Sequence, residues 1–153
     1  MKPIEARYCR AMPSDFMLKT MNNIHGAMKM LSGGRMGWTA ANMPVLELTT
    51  TGRKSGKART VQLTSPWQEG DTMAIIASRG GDDTHPAWFL NLRDNPSVRV
   101  KTKDGDKAMT AHVASADERA DLWPQVIASN PRYAEYQSKT DREIPVVLLK
   151  PAN

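Results

Sequence analysis

A basic segment at a predicted turn is the feature of this chain that most directly indicates chemistry. Between Glu47 and Glu69 the chain carries four cations and no acid. The four cations are Arg53, Lys54, Lys57 and Arg59. Gly52 and Gly56 lie among them, and glycine lets backbone N–H groups approach an anion closely, while arginine offers a fork that matches phosphate oxygens. The segment predicts a pocket for a phosphorylated, polyanionic small molecule, with a solvated basic hairpin as the alternative.

Short strands on either side of the basic segment are expected to aim its cations at one target. Apolar and alternating runs predict six strands, over residues 45–51, 60–67, 73–78, 97–101, 108–114 and 144–150. The run over 73–78 is apolar on both faces, so we expect it to be a central, buried strand. Asp104 and Gly105 form a favoured hairpin turn between the fourth and fifth strands.

One short helix is predicted inside this series of strands. Pro86 suits its first turn, and Asp83 or Thr84 is expected to be its N-cap. Trp88 lies in this helix, which is expected to end at Asn95.

Two further helical segments precede the last strand. Ser115 and Glu118 have the spacing of a capping box at the start of the first, and Pro124 is expected to kink it or to begin a new helix. The second carries Tyr133 and Tyr136 on one face. Together these elements predict an α+β fold, a β-barrel of about six mainly antiparallel strands with helices packed outside.

An amphipathic helix is also predicted over residues 14–31. Its apolar stripe consists of Met17, Met21, Ile24, Met28 and Leu31. One interpretation docks this helix on the barrel or on a second subunit, so that both a monomer and a homodimer stay open. The other rests it on a membrane surface as a peripheral contact, because methionine suits adaptable apolar contacts. We divide the chain into residues 1–43, the helix and linker, and residues 44–153, the barrel domain.

Composition and missing motifs narrow the classes of function. The net charge of +5 favours an acidic partner, and the lone Cys9 predicts a cytoplasmic, reducing compartment. Gly52 lies one residue too close to Gly56 for a nucleotide-hydrolase phosphate loop. The basic segment lacks interleaved aromatic residues that would stack nucleic-acid bases, so no nucleic-acid partner is expected. The histidines have no metal-ligand spacing, so no metal site is expected either. A bound cofactor is therefore expected to carry the chemistry.

Several separated motifs resemble the deazaflavin-dependent nitroreductase family. The matching blocks are LTTTGRKSG at 48–56, Arg59, ASRGG at 77–81, HPAW at 85–88, Asn91-Leu92, Asn95-Pro96, YAEYQ at 133–137 and TDREIPVV at 140–147. They follow the family's order from about residue 44 to the end of the chain. The resemblance implies a split β-barrel that binds coenzyme F420, an 8-hydroxy-5-deazaflavin, and transfers a hydride from its reduced form.

The resemblance also implies which residues form the site. The cofactor-binding set is Arg53, Lys54, Ser55, Arg59, Gln62, Ala77, Ser78, Arg79, Gly80, Ala87, Trp88, Asn91 and Tyr133. The catalytic set is Ser78, Tyr133 and Tyr136. The first four cofactor-binding residues occupy the family's phosphate positions. Tyr133 and Tyr136 are expected to form the substrate wall, with Tyr133 nearer the ring.

The acceptor and the rival functions complete the hypothesis. Quinones, activated enones or lactones, and nitro compounds are suitable small-molecule acceptors for a hydride. Asn130 stands where relatives that reduce bulky nitroimidazoles tend to have an aromatic residue, and Gln62 replaces a proline common in the family. The alternatives are an oxidoreductase of the same barrel type that uses flavin mononucleotide (FMN) and a non-catalytic protein that carries or sequesters the deazaflavin.

Overall fold

The computed structural model describes residues 38–40 and 42–152 and consists of one antiparallel sheet with three helices in those ranges. The strands are β1 (Thr39–Ala40), β2 (Met43–Thr51), β3 (Ala58–Thr64), β4 (Trp67–Glu69), β5 (Thr72–Ile76), β6 (Ser97–Thr102), β7 (Gly105–Val113) and β8 (Val146–Pro151). The helices are α1 (Ala87–Asp94), α2 (Ala116–Ser129) and α3 (Arg132–Ser138), with a 3-10 turn at Arg79–Gly81. The predicted helix over residues 14–31 lies outside the described residues.

The sheet curls into a half-barrel in which every strand pairing is antiparallel. Its order is β1-β2-β6-β7-β8-β5-β4, and β3 pairs with β2. All six predicted strands form, but the run over 60–67 is divided, and with the short β1 the sheet has eight strands. The division occurs at Ser65 and Pro66, because proline has no N–H for the ladder. The buried Ser65 hydroxyl bonds to the Ala74 carbonyl at 2.8 Å instead.

Strands β5 and β8 separate two apolar cores. Ile75 and Val147 point into the curl of the sheet, where they pack with side chains of β2, β6 and α1. Their neighbours Ile76 and Val146 point to the opposite face, which α2 and α3 cover. The prediction of a strand that is apolar and buried on both faces is thus confirmed, but β5 lies beside the edge strand β4 and not at the centre of the sheet.

The start of α2 agrees with the sequence prediction, whereas the start of α1 differs from it. The capping box of α2 is confirmed, because the Ser115 hydroxyl accepts from the Glu118 N–H at 3.2 Å and the Glu118 carboxylate accepts from the Ser115 N–H at 3.0 Å. Helix α2 continues through Pro124 and does not begin anew there. The predicted N-cap of α1 was wrong: Pro86 holds that position, because Thr84 bonds to Asp82 in the preceding turn.

Gly81→Ala is expected to destabilise the fold more than Gly70→Ala. Both glycines have a positive φ, +86° and +57°, so both alanines incur a left-handed penalty of ~1–2 kcal/mol. Only at Gly81 would the new Cβ meet backbone, the Tyr136 carbonyl oxygen 2.7 Å away.

Urea denaturation of both variants and the unaltered chain measures this difference. The free energy of unfolding should fall by at least ~1 kcal/mol more for Gly81→Ala than for Gly70→Ala. Equal losses would mean that α3 moves away from the 3-10 turn without cost.

Candidate functional site

The predicted basic segment forms the tight turn of the β2–β3 hairpin. The Gly52 N–H donates to the Lys57 carbonyl at 2.8 Å, and the Gly56 N–H donates to the Gly52 carbonyl at 2.8 Å. The Ser55 hydroxyl accepts from the Lys57 N–H at 3.2 Å, which leaves its own hydrogen available to an anion. A Cβ on Gly52 would lie 2.6 Å from the Ser55 hydroxyl oxygen, so a larger residue there would displace this hydroxyl from its place in the turn.

The cations of this turn have no counter-charge within the described residues. Arg53, Lys54, Lys57 and Arg59 are all exposed, and no described carboxylate pairs with their side chains. By contrast, Arg79, Arg99 and Arg119 form ion pairs with Asp82, Asp106 and Glu143 at 3.3, 3.0 and 3.8 Å. Four uncompensated cations on one short turn create a positive potential suited to a polyanion.

Asn91 of α1 fastens the turn to the rest of the barrel. Its buried side-chain carbonyl accepts from the Arg53 N–H at 3.1 Å, and its amide nitrogen donates to the Thr50 hydroxyl at 3.2 Å. The Thr50 hydroxyl in turn donates to the Arg59 carbonyl at 3.4 Å. Asn91 therefore orients both ends of the basic turn, and its direct contact with a cofactor stays a prediction.

A second loop, residues 77–82, follows the end of β5. Ala77 is fully buried, and its N–H donates to the Pro145 carbonyl at 3.0 Å. Ser78 has right-handed backbone angles and Arg79 a left-handed φ of +46°. A change from right-handed to left-handed angles between two successive residues curls their N–H groups around a concavity that suits an anionic or carbonyl oxygen.

The charge of Arg79 is directed toward its own loop. Its guanidinium pairs with Asp82 at 3.3 Å and bonds to the Thr84 hydroxyl. A hydrogen bond from the Thr84 N–H lowers the pKa of Asp82, so this carboxylate is ionised at neutral pH. The predicted role of Arg79 as a cation beside the ring or tail would require this ion pair to open.

Arg142 is a residue of this region whose contacts the sequence did not reveal. Its guanidinium donates to the carbonyls of Ala77, Ser78 and Asp82 at 3.2, 3.0 and 2.8 Å, and to His85 Nδ1 at 3.3 Å. Burial, together with the Arg142 and Arg93 charges, lowers the pKa of His85, so its ring is neutral and accepts at Nδ1. The TDREIPVV block was the one signal that included Arg142.

The predicted substrate wall lies on α3, against the 3-10 turn. The Tyr133 hydroxyl is 3.2 Å from the Thr64 hydroxyl and donates to Met43 Sδ at 3.9 Å. Burial raises the pKa of Tyr133 above its ordinary value of 10.0, and its phenol is protonated at neutral pH. The Tyr136 ring stands edge-on to it at 6.0 Å and is more exposed. Tyr133 is thus the more buried of the two tyrosines, and the position of each relative to a cofactor ring stays a prediction.

Two other predicted binding residues, Trp88 and Gln62, have their side chains partly or fully buried in the protein. Trp88 is 8% exposed and packs in the apolar core inside the curl of the sheet. Gln62 donates through Nε2 to Glu47 at 3.5 Å, and its buried Oε1 has no hydrogen-bond partner in the part of the chain that is described. An orphaned acceptor of this kind costs ~1–3 kcal/mol, so a donor that reached it would be stabilising.

The described residues form a cavity far from the basic turn, but neither a metal-ligand cluster nor a membrane-spanning helix. A cavity of about 320 Å³ lies at the opposite ends of the strands, between the β4–β5 and β6–β7 turns, remote from the basic turn. Within residues 38–40 and 42–152 no cluster of His, Cys, Asp and Glu could hold a metal ion. No helix in those ranges is long and apolar enough to cross a bilayer.

The chain matches known proteins over most of its length. The family model for F420H(2)-dependent quinone reductase matches residues 21–151. An F420H(2)-dependent quinone reductase of Mycobacterium tuberculosis strain H37Rv is 38% identical over 130 residues, which cover 82% of this chain and 87% of that protein. A putative F420H(2)-dependent quinone reductase of the same strain is 35% identical over 109 residues, covering 71% and 91%.

Two solved structures are similar in both sequence and fold. One, an F420-H2 dependent reductase (FDR-A), is 42% identical with a TM-score of 0.63 and covers 70% of this chain and 94% of its own. The other, a domain-swapped dimer, is 38% identical with a TM-score of 0.63 and covers 86% and 99%. Both agree with the antiparallel half-barrel described above.

The neutral His85 predicts a loss of stability in mild acid. Its pKa is lowered from 6.5 in the folded protein, so the unfolded chain binds a proton below pH 6.5 that the folded chain excludes. The free energy of unfolding should therefore fall as the pH drops from about 6.5 through the lower folded-state pKa.

His85→Asn is the control, because the asparagine carbonyl replaces Nδ1 as an acceptor for Arg142 without titrating. Urea midpoints measured at several pH values should fall less steeply for this variant than for the unaltered chain. Identical slopes would exclude His85 as the titrating group.

Proposed function

Because the chain belongs to the F420H(2)-dependent quinone reductase family, we propose that it transfers a hydride from reduced coenzyme F420 to an electron-poor acceptor held against α3. It is an oxidoreductase whose cofactor is coenzyme F420. The observation that supports this function in the fold is the compact β2–β3 turn, which presents four cations without a described counter-charge.

The residues present fit the cofactor's charge. The coenzyme has a phosphodiester and a glutamate-rich tail, so it needs several cationic partners. Arg53, Lys54 and Arg59 supply them without first breaking an ion pair to a described residue, and the Ser55 hydroxyl has a hydrogen to donate. A charged hydrogen bond is worth ~1.5–3 kcal/mol, and less at exposed positions such as these. We assign to Lys57 a long-range attraction between its charge and the glutamate-rich tail of the cofactor, without a direct contact.

The chemistry divides between the cofactor and the protein. When bound, the reduced deazaflavin supplies a hydride, which is two electrons in one step. The protein has to exclude water, hold the acceptor in place and deliver a proton. Ser78, which is 8% exposed, lies in the loop assigned to the ring. Its hydroxyl has no partner among the described residues, so it is available to bind a polar ring atom.

Tyr133 is the residue we assign to the proton. Its phenol carries a proton at neutral pH, as a proton donor requires, and burial raises its pKa further. The Thr64 hydroxyl can donate to the Tyr133 oxygen across 3.2 Å. In the free protein the phenolic hydrogen is directed at Met43 Sδ, 3.9 Å away. Because sulfur is a weak acceptor, this hydrogen can turn from it to an acceptor oxygen.

The acceptor we propose is a quinone or an activated enone or lactone. Asn130 ends α2, and its side-chain carbonyl accepts from the Arg132 N–H at 3.0 Å. It offers a short polar surface and no ring, so a nitroimidazole would lack a stacking partner there. Nitro compounds are therefore proposed as poorer acceptors than quinones and enones.

The rival functions differ in measurable ways. FMN has a single phosphate and would use fewer of the four cations, so it should bind more weakly than the deazaflavin. A carrier protein would bind the deazaflavin without turnover. We propose a cytoplasmic homodimer, supported by the lone cysteine and by the domain-swapped dimer of a relative. Contact of the N-terminal segment with a membrane stays a prediction.

Removing turn cations should weaken cofactor binding and leave folding intact. Arg53→Ala and Lys54→Ala are each expected to raise the Kd for coenzyme F420 by about 10-fold, because each loses a charged hydrogen bond. Fluorescence titration gives the Kd, and thermal unfolding tests the fold. Arg99→Ala is the matched control, since Arg99 is also an exposed cation but lies on β6 and pairs with Asp106.

Two outcomes would contradict this assignment. FMN binding as tightly as the deazaflavin to the unaltered chain would overturn the cofactor assignment. A fall in melting temperature with an unchanged Kd would make Arg53 and Lys54 structural residues.

Tyr133→Phe should slow reduction of a quinone or enone while the cofactor still binds. It deletes the hydroxyl and keeps the ring, and positioned proton donation contributes ~10²–10⁴-fold to a rate. Tyr136→Phe is the matched control, because the same atom is removed one helical turn further from the barrel, and its effect should be smaller. Steady-state rates with saturating reduced cofactor measure both. An unchanged rate for Tyr133→Phe would remove this residue from the mechanism.

A further inference from the structure

We propose that Arg142 is a positioning residue, which holds the loop of residues 77–82 in the shape that binds the ring of the cofactor. The inference rests on the proposed function, because that function assigns the loop to the ring. Arg142 comes from the segment between α3 and β8, so it reaches the loop only through the tertiary fold.

The contacts of Arg142 are with backbone carbonyls rather than with a carboxylate. Its Nη2 donates to Ala77 and Ser78 at 3.2 and 3.0 Å, and its Nε donates to Asp82 at 2.8 Å. No described carboxylate forms an ion pair with it, although Asp82 and Asp83 contribute to its surrounding potential. A planar guanidinium can reach these three oxygens at once, whereas a lysine ammonium on a single stem cannot.

These contacts determine where the loop's N–H groups point. In a trans peptide the C=O and the N–H of the same unit face opposite ways. Since the Ala77 and Ser78 carbonyls are directed at Arg142, the N–H groups of Ser78 and Arg79 are directed away from it. They point into the concavity that forms where the backbone changes from right-handed to left-handed angles. A cation on the carbonyl side also polarises each peptide, which strengthens its N–H as a donor.

The remaining guanidinium nitrogen of Arg142, Nη1, is held by His85. Nη1 donates to His85 Nδ1 at 3.3 Å, and the His85 ring packs on Phe89 of α1 at 4.7 Å. Arg142 is therefore fixed between the loop and the helix that also carries Asn91. A small displacement of its guanidinium would release both peptides together.

The test compares Arg142→Lys with Arg119→Lys. Arg119 is also partly buried, and it also donates to a backbone carbonyl and a side-chain oxygen, those of Ile144 and Gln137 at 2.9 and 3.0 Å. It does not contact the loop. Arg142→Lys should raise the Kd for coenzyme F420 by about tenfold. Arg119→Lys should leave the Kd within about twofold of that of the unaltered chain, even if it lowers the melting temperature as much as Arg142→Lys does.

The salt dependence of binding separates positioning from charge. Arg142→Lys keeps the cation, so the slope of the logarithm of Kd against the logarithm of salt concentration should match that of the unaltered chain. Arg53→Ala removes a cation that faces the ligand and should reduce this slope. A shifted fluorescence maximum of the bound cofactor in Arg142→Lys alone would further support a displaced ring.

Each result bears on a different claim. If the unaltered chain does not bind the cofactor, the proposed function fails and this inference fails with it. If the unaltered chain binds and Arg142→Lys binds within about twofold of it, the inference alone is overturned. If Arg142→Lys does not fold, His85→Leu takes its place, because it removes the hydrogen bond to Nη1 and keeps the guanidinium. A Kd for His85→Leu equal to that of the unaltered chain would then overturn the inference.

Discussion

Burial of both faces of the β5–β8 pair is the constraint on which the rest of the structure depends. Ile75 and Val147 fill one core, while Ile76 and Val146 fill the other. A slip of one residue would exchange these side chains between two close-packed interiors, so the register is strongly specified. That register brings the loop after β5 and the segment before β8 together, as the bond from Ala77 to the Pro145 carbonyl records.

Beyond the ends of the strands, polar side chains form hydrogen bonds with backbone groups that no neighbouring strand reaches. Backbone groups that leave a strand still need partners, and at the end of the sheet that carries the basic turn distant side chains provide them. Asn91 accepts from the turn after β2, and Arg142 donates to the loop after β5. The two loops with the predicted binding groups are therefore held by α1 and by the segment before β8, and their shape depends on the whole barrel.

The arginines and lysines of the described residues differ in whether a carboxylate pairs with them. Arg79 and Arg119 pair with carboxylates, whereas Arg53, Lys54 and Arg59 have no such partner among the described residues. Mutual repulsion on the turn destabilises the free protein slightly, and a polyanion would relieve it. The compact hydrogen bonding of the turn opposes this repulsion, so the cations stay close together before any ligand arrives.

Local patterns by themselves determined the strands, the basic turn and the Ser115 capping box, because periodicity, glycine and charge act over a few residues. They did not determine the break at Pro66, where the buried Ser65 hydroxyl donates to the Ala74 carbonyl on β5. The partners of Asn91 and Arg142 were also decided by the tertiary structure alone. Those partners lie 38 and 65 residues away along the chain, and a hydrogen bond forms only where folding brings such segments within about 3 Å.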